Sequence, residues 1–436
     1  MTEVLALDVG SSSVRAQRFD DRGEPSDELK QERYERRDPD EIVALVQQVV
    51  SGRDGGAAAV GISCFGHSLL ALGRDGKPLT ELLSWRDTRS ADAAERLRRR
   101  LDPEAVHART GGYLHPSFWP AKLAWLAQTQ PEVFRDAVTF VSFSDYLSAR
   151  LFGGELRTTL SMASSSGLLD LATGGWDDEL LGVLGLDRAR LPVLADEPVW
   201  FDGACSNLGA GCIGRKRAAL MVGTSGAMRI LYETERPQPQ PGLFLYRVDE
   251  RRVIEGGAVS DGGNLRAWLK ETLAETGKTI AGRDPDDHGL TFLPFLGGER
   301  STGWDPDATG AITGLTFDTT PLDIRQAALE GVALRFSVIA DLLPEVGEVV
   351  ATGAALLADP GWIQVMADAL ARPVTVSKVP EASLRGAAVA TLERLGCEAG
   401  EAPLGEVFHP REERAEAYRS AGERQQRLYE ELHGED

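Results

Sequence analysis

The stretch Ala6-Leu7-Asp8-Val9-Gly10-Ser11-Ser12 decides the reading of the fold, because it returns near mid-chain as Ala219-Leu220-Met221-Val222-Gly223-Thr224-Ser225. In each copy an apolar run reads as a strand, small residues make a tight turn, and a second strand-like run follows. The strands are expected at 4–9 and 14–19 around the first turn, and at 218–222 and 227–233 around the second. A recurring strand–glycine turn–strand unit predicts a duplicated domain, each half giving one Gly-[Ser/Thr]-Ser turn to a shared cleft. Val60-Gly61-Ile62-Ser63 and Val349-Val350-Ala351-Thr352-Gly353 form a second, weaker pair of echoes. Gly209, Gly211 and Gly214 let the chain bend, so the expected domains are 1–211 and 212–436.

Outward from the turns, apolar spacing is helical at 40–51, 92–108, 119–152, 264–276, 321–343, 360–371 and 382–395, with further strands at 58–63 and 348–352. Such alternation indicates α/β architecture, with sheets covered by helices. Pro237 to Pro241 (PQPQP) reads as a surface loop.

Composition narrows the function. A chain of 436 residues, 42% hydrophobic, can bury a sizeable core in more than one domain. A net charge of -20 and a pI near 4.9 argue against nucleic acid and against an anionic membrane surface. An anionic small molecule is still admissible, since local arginines outweigh a distant field within a Debye length of about 8–10 Å. No apolar run approaches the ~20 residues that span a bilayer. Glu3 and Asp8 stand where a secretory leader would carry basic and apolar residues, which argues against secretion. Cys64, Cys205, Cys212 and Cys397 have neither CxxC nor zinc-ligand spacing, as expected of reduced thiols in a cytoplasmic protein.

A turn of small residues exposes backbone N–H groups and adds hydroxyl donors, which makes a cradle for phosphate oxygens. The GxxxxGK[ST] spacing of a P-loop is absent. A single Gly-Ser turn usually does no more than close a hairpin, so the pair and its charged neighbours carry the signal. Asp8 occurs only in the first copy; Met221 replaces it in the second. A carboxylate beside a phosphate cradle is repulsive unless a cation intervenes, so Asp8 points to Mg²⁺, the alternative being a hydrogen bond to the hairpin backbone. Arg15, also confined to the first copy, is suited to the transferring phosphoryl group.

Seven stretches in order then give a resemblance. LALDVGSSSVRAQRFD (5–20), VGISCFGHSLLAL with SWRDTRS (60–72 and 84–90), FDGACSNLG (201–209), VGTSGAMR (222–229), GGAVSDGGNLRAWL (256–269), ATGAALLADPGWIQVMAD (351–368) and EASLRGAAVATL (381–392) resemble the FGGY carbohydrate kinases nearly end to end. The ending YRSAGERQQRLYEEL (418–432) is similar to that family's last helix. The resemblance implies two ribonuclease H-like domains, as in actin, hexokinase and heat-shock ATPases, flanking a catalytic cleft. It implies ATP as donor, Mg²⁺ as cofactor, and Asp202 as catalytic base; by spacing alone Asp202 reads as well as a helix N-cap. Phosphoryl transfer is mainly positioning and charge stabilisation, so Ser11, Ser12, Ser13, Thr224 and Ser225 are expected to supply donors. Gly263, Gly353 and Asp359 are implied on the nucleotide side, with Gly353-Ala354 where many relatives have Gly-Gly. Gly66 and His67 are implied on the sugar side.

HPSFWPAKLAWL (115–126), the DGA-xx-NLG pattern at 202–209 and FLPFLGGERSTGWDPDATGAITGL (292–315) are most similar to the gluconate-kinase branch. A carboxylate substrate needs local cations, and Arg86, Lys122 and Arg300 lie in the relevant segments, the arginines being suited to two parallel hydrogen bonds. The alternatives are a neutral acceptor such as xylulose or glycerol, and, in another class, an actin-like or chaperone-like ATPase that binds a protein. The expected partner is a small sugar or sugar acid, with a homodimer left open.

Overall fold

Val4–Val9 and Ser13–Phe19 pair antiparallel with Asp8 opposite Arg15, and the turn closes with the Gly10 N–H on the Ser13 carbonyl at 2.9 Å. Val4 to Val9 are buried throughout, which is why this strand reads as a continuous apolar run rather than an alternating one. On its other side Ala59–Cys64 runs parallel, and Val199–Phe201 runs parallel to that, giving a five-stranded sheet completed by Lys30–Arg33 at the hairpin edge. The computed structural model describes residues 2–434 other than 36, 37, 54 and 275–278.

The second hairpin builds the same pattern. Gly214–Val222 neighbours Gly226–Glu233, the turn closing with the Gly223 N–H on the Ser225 carbonyl at 2.9 Å. On its far side Glu348–Thr352 runs parallel, then Val374–Ser377 parallel again, then Leu404–Phe408 antiparallel. Met221 stands opposite Thr352 as Asp8 stands opposite Ser63. A hairpin followed by two parallel strands, twice, is the duplication that the repeated heptapeptide predicts, and the chain is a mixed α/β protein with two such sheets.

The chain gathers into two compact units that are discontinuous in sequence. One comprises Met1–Gly211, Leu231–Glu255 and Val379–Ala402; the other comprises Cys212–Ile230, Gly256–Lys378 and Pro403–Asp436. In the first unit, helix Ala382–Arg394 lies directly on helix Asp202–Gly209. A Cβ on Gly209 would sit 1.8 Å from the Ala382 carbonyl oxygen, and one on Gly386 would sit 1.8 Å from the Cys205 carbonyl oxygen. Only glycine permits this backbone-to-backbone approach, and it fixes the helix that begins at Asp202. A separate apolar cluster of Leu69, Trp119, Leu123, Leu126, Phe140 and Trp176 anchors the segment after Ala59–Cys64. Each such side chain contributes about 1.5–3 kcal/mol by burial.

Two helical stretches are finer-grained than their apolar spacing predicts. Residues 119–152 form helices Trp119–Thr129, Pro131–Asp136 and Phe143–Phe152, with a short strand, Thr139–Val141, between the last two. Pro131 lacks the N–H needed to continue the first helix, and the Ser142–Asp145 capping box starts the third. Residues 92–108 split into Ala91–Arg98 and Pro103–Thr110, where Asp102 caps the second. The helix expected at 264–276 is Gly263–Thr272, and residues 275 and 276 lie outside the described ones. All four cysteines are free thiols, and no described helix is long and apolar enough to cross a membrane.

Candidate active site

The first unit brings its chemistry to one edge of its sheet. Strand register aligns Val9 with Cys64 and Cys64 with Phe201, so the residues that follow (Gly10, Phe65 and Asp202) leave the sheet side by side at the carboxyl ends of three parallel strands. That edge is where open α/β sheets bind ligands.

At its centre Asp8 is 4% exposed and doubly engaged. It accepts from the Ser63 hydroxyl at 2.7 Å and from Arg15 Nη1 at 2.9 Å. Burial raises its pKa, against the opposing pull of Arg15 and the Ser63 hydrogen bond. Arg15 is bracketed by a second carboxylate, Glu381 at 3.2 Å, whose own pKa is raised by burial. Sequence reasoning missed Glu381, for nothing local in EASLRGAAVATL marks it as a partner of residue 15. The turn itself holds Ser11 and Ser12 exposed and Ser13 buried. Tyr34 ties down its carbonyls: the hydroxyl donates to the Gly10 oxygen and the backbone N–H donates to Ser12 at 3.0 Å.

Asp202 is the first residue of its helix, and Phe201 before it takes an extended conformation. The residue as a whole is half-buried. Gly66 lies against the Phe201 ring, which a Cβ would meet at 2.8 Å. His67 is 5% exposed with a left-handed backbone, φ 62°. Its ring is walled by Phe118, Tyr246 and Phe201, with centroids at 5.0, 5.7 and 5.9 Å. Arg86 is exposed, its guanidinium 4.7 Å from the Trp85 ring centroid. Lys122 is buried, with its ammonium head spent on two main-chain carbonyls, so it offers no surface cation to an anionic substrate.

The second unit arranges different material around its turn. Thr224 is exposed and Ser225 half-buried. The turn's carbonyls are tied by the start of helix Gly263–Thr272: the Gly263 N–H donates to Gly223 at 2.8 Å and the Asn264 N–H to Thr224 at 3.0 Å. Gly353, φ 88°, presses on the strand end, where a Cβ would lie 2.4 Å from the Val222 carbonyl oxygen. Asp359 caps helix Pro360–Leu370 through the Trp362 N–H at 3.2 Å and pairs with Arg266 at 3.4 Å. Arg300 sits in a loop held on both sides. Glu299 accepts from Tyr429 at 2.8 Å and from Arg335 at 3.3 Å, while the Ser301 N–H donates to Ala258 at 2.9 Å.

Among the described residues no cluster of three or more His, Cys, Asp or Glu could hold a metal unaided. A lone buried carboxylate such as Asp8 fits a magnesium ion that arrives on nucleotide phosphates, because that ion commonly takes only one or two protein carboxylates and keeps its waters.

Residues 3–214 match the N-terminal domain, and residues 218–392 the C-terminal domain, of the FGGY family of carbohydrate kinases. A gluconokinase of Bacillus licheniformis is 28% identical over 452 residues, covering 90% of this chain and 88% of its own. A glycerol kinase of Thermus brockianus is 34% identical over 396 residues, covering 80% and 77%. A ligand-bound xylulose kinase from Lactobacillus acidophilus is similar in structure, with a TM-score of 0.90 at 26% identity over 99% of this chain and 98% of its own.

Proposed function

This chain belongs to the FGGY family of carbohydrate kinases and is a sugar kinase with ATP as phosphoryl donor, and from there we propose that its acceptor is an aldonic acid, gluconate first, with Asp202 as general base. The observation that carries the mechanism is the shared strand edge, where the Gly10 turn, the Gly66-His67 segment and Asp202 leave three aligned parallel strands together. An alcohol is a poor nucleophile until its proton is being removed, so the base must stand beside the phosphate cradle. Asp202 meets that need: it is clamped in place through Gly209 and Gly386, yet only half-buried.

The remaining roles follow from charge. Ser11, Ser12 and Ser13 in the first unit, and Thr224 and Ser225 in the second, offer donors to phosphate oxygens. Arg15, held between Asp8 and Glu381, is oriented to stabilise charge on the transferring group. Asp8 would hold magnesium through its waters, and the metal, bound with ATP, would offset phosphate charge. Gly263, Gly353 and Asp359 belong to the nucleotide side. Gly66, His67, Arg86 and Arg300 are assigned to the acceptor, the arginines being suited by their chemistry to a carboxylate.

One observation favours a second reading. His67 is enclosed by three aromatic rings, a wall equally suited to a neutral polyol or ketose, and the glycerol and xylulose kinases are similar to this chain over comparable lengths. Initial rates with gluconate, xylulose and glycerol at saturating ATP decide between them. The aldonate reading expects gluconate to have the highest kcat/KM and Arg300→Ala or Arg86→Ala to lower it about tenfold. Far better turnover of a neutral acceptor, with gluconate turnover indifferent to Arg300→Ala, would leave the kinase and remove the aldonate.

A further inference from the structure

Lys122 lies on helix Trp119–Thr129 and is 1% exposed, yet it forms no ion pair with any described residue. Burying an unpaired ammonium is costly, so this lysine is placed where a methionine or leucine would suit the fold better. Burial pushes its pKa down to about 7, with Asp87 pulling weakly the other way. Its Nζ donates to the carbonyl of His67 and, at 2.8 Å, to the carbonyl of Ser117.

Those two carbonyls belong to the walls of the acceptor side. His67 holds a left-handed backbone, φ 62°, which a non-glycine residue adopts at a cost that its surroundings must offset. Its neighbour Ser68 is fixed from two directions, its carbonyl by Trp119 Nε1 at 2.8 Å and its hydroxyl by the Phe143 N–H at 3.0 Å. Lys122 supplies the third tether, on the strained residue itself. Ser117 in turn donates from its hydroxyl to the Trp85 carbonyl at 3.0 Å, and Trp85 precedes Arg86. One ammonium head thus links the segment carrying Gly66 and His67 to the loop carrying Arg86.

We infer that Lys122 is a positioning residue for acceptor binding, fixing the His67 backbone and, through Ser117 and Trp85, the Arg86 loop, without itself touching the substrate. The inference rests on the reading of His67 as an acceptor contact. Losing the amine should let His67 relax out of its strained conformation and turn its ring away from the acceptor, while the nucleotide side is undisturbed.

Steady-state kinetics of Lys122→Met, His67→Gln and the double variant test this. The expected result for Lys122→Met is an acceptor KM raised about tenfold with the ATP KM within about twofold of the parent. In the double variant the acceptor KM should rise by less than the product of the two single effects, because part of the tether acts through His67. Should Lys122→Met not fold, Lys122→Gln, which keeps an N–H donor, takes its place and is expected to show the same one-sided, smaller rise. Equal rises in both KM values, or effects that multiply in the double variant, overturn the inference. An unchanged KM in the lysine variant beside a raised KM in His67→Gln also overturns it, and leaves the acceptor reading standing. An unchanged KM in His67→Gln instead overturns the acceptor reading itself.

Discussion

The two glycine turns share a backbone and differ in everything attached to it. Both close with a 2.9 Å hydrogen bond, and both follow a hairpin strand that has a parallel neighbour on its other side. The first carries a buried Asp8 linked to a half-buried Arg15 and Glu381, and has its carbonyls tied by Tyr34. The second has Met221 where the first has Asp8, and its carbonyls are tied by the first residues of a helix, with Gly353 packed on the strand end. The difference teaches that duplication conserved the cradle and specialised the surroundings. On the proposed roles, the charges around the first turn would serve phosphoryl transfer and the close glycine packing at the second would serve nucleotide binding.

The sharpest way to break this contrast is at the first unit's base. Asp202→Asn keeps the shape and removes the basic oxygen, so kcat should fall about 10²–10⁴-fold while ATP binding survives; near-parental turnover in a folded variant would sink the assignment. Next comes Asp8→Asn, expected to lower kcat about 10²-fold and raise the magnesium concentration for half-maximal rate, whereas Met221→Leu at the matching position changes both less than about twofold. A magnesium titration identical to the parent's would make Asp8 structural. In the second turn, Gly353→Ala must place a methyl against the Val222 carbonyl at a φ that disfavours it, so the ATP KM should rise about tenfold with the acceptor KM held.

The smallest effect concerns Asp261, 1% exposed at the end of the strand that leads into Gly263. Burial raises its pKa to about 7, partly countered by backbone N–H groups of Leu296 and Gly297. The folded state therefore keeps this proton up to about pH 7, while the unfolded chain releases it near the ordinary carboxylate value of 3.8. Stability from this group is full below that value and lost as pH rises toward 7. Asp261→Asn should accordingly melt several degrees above the parent at pH 8, with the two curves converging near pH 4. Equal melting temperatures at pH 8 would contradict the buried, neutral carboxyl.

Much of this contrast was legible in the sequence, and the illegible part has a physical cause. A repeated apolar run ending in small residues reports two hairpins because strand burial and turn chemistry are local. Asp8 against Met221 is visible for the same reason. The strand Thr139–Val141 is hidden inside a helical pattern because three residues are too few to show a period of two. Glu381 beside Arg15, and Gly386 against Cys205, join segments far apart in the chain, and no local propensity encodes such a contact. Lys122 reads as a surface cation until its helix is seen to turn it inward.

The division between the turns is tested most directly by measuring ATP affinity and single-turnover phosphorylation rate on the same two variants, Asp8→Asn and Gly353→Ala. The account predicts a crossed result: Asp8→Asn binds ATP within about threefold of the parent but transfers about a hundredfold more slowly, while Gly353→Ala binds about tenfold more weakly and transfers at nearly the parental rate once saturated. Parallel losses of binding and rate in both variants would contradict it, because the turns would then be doing the same work.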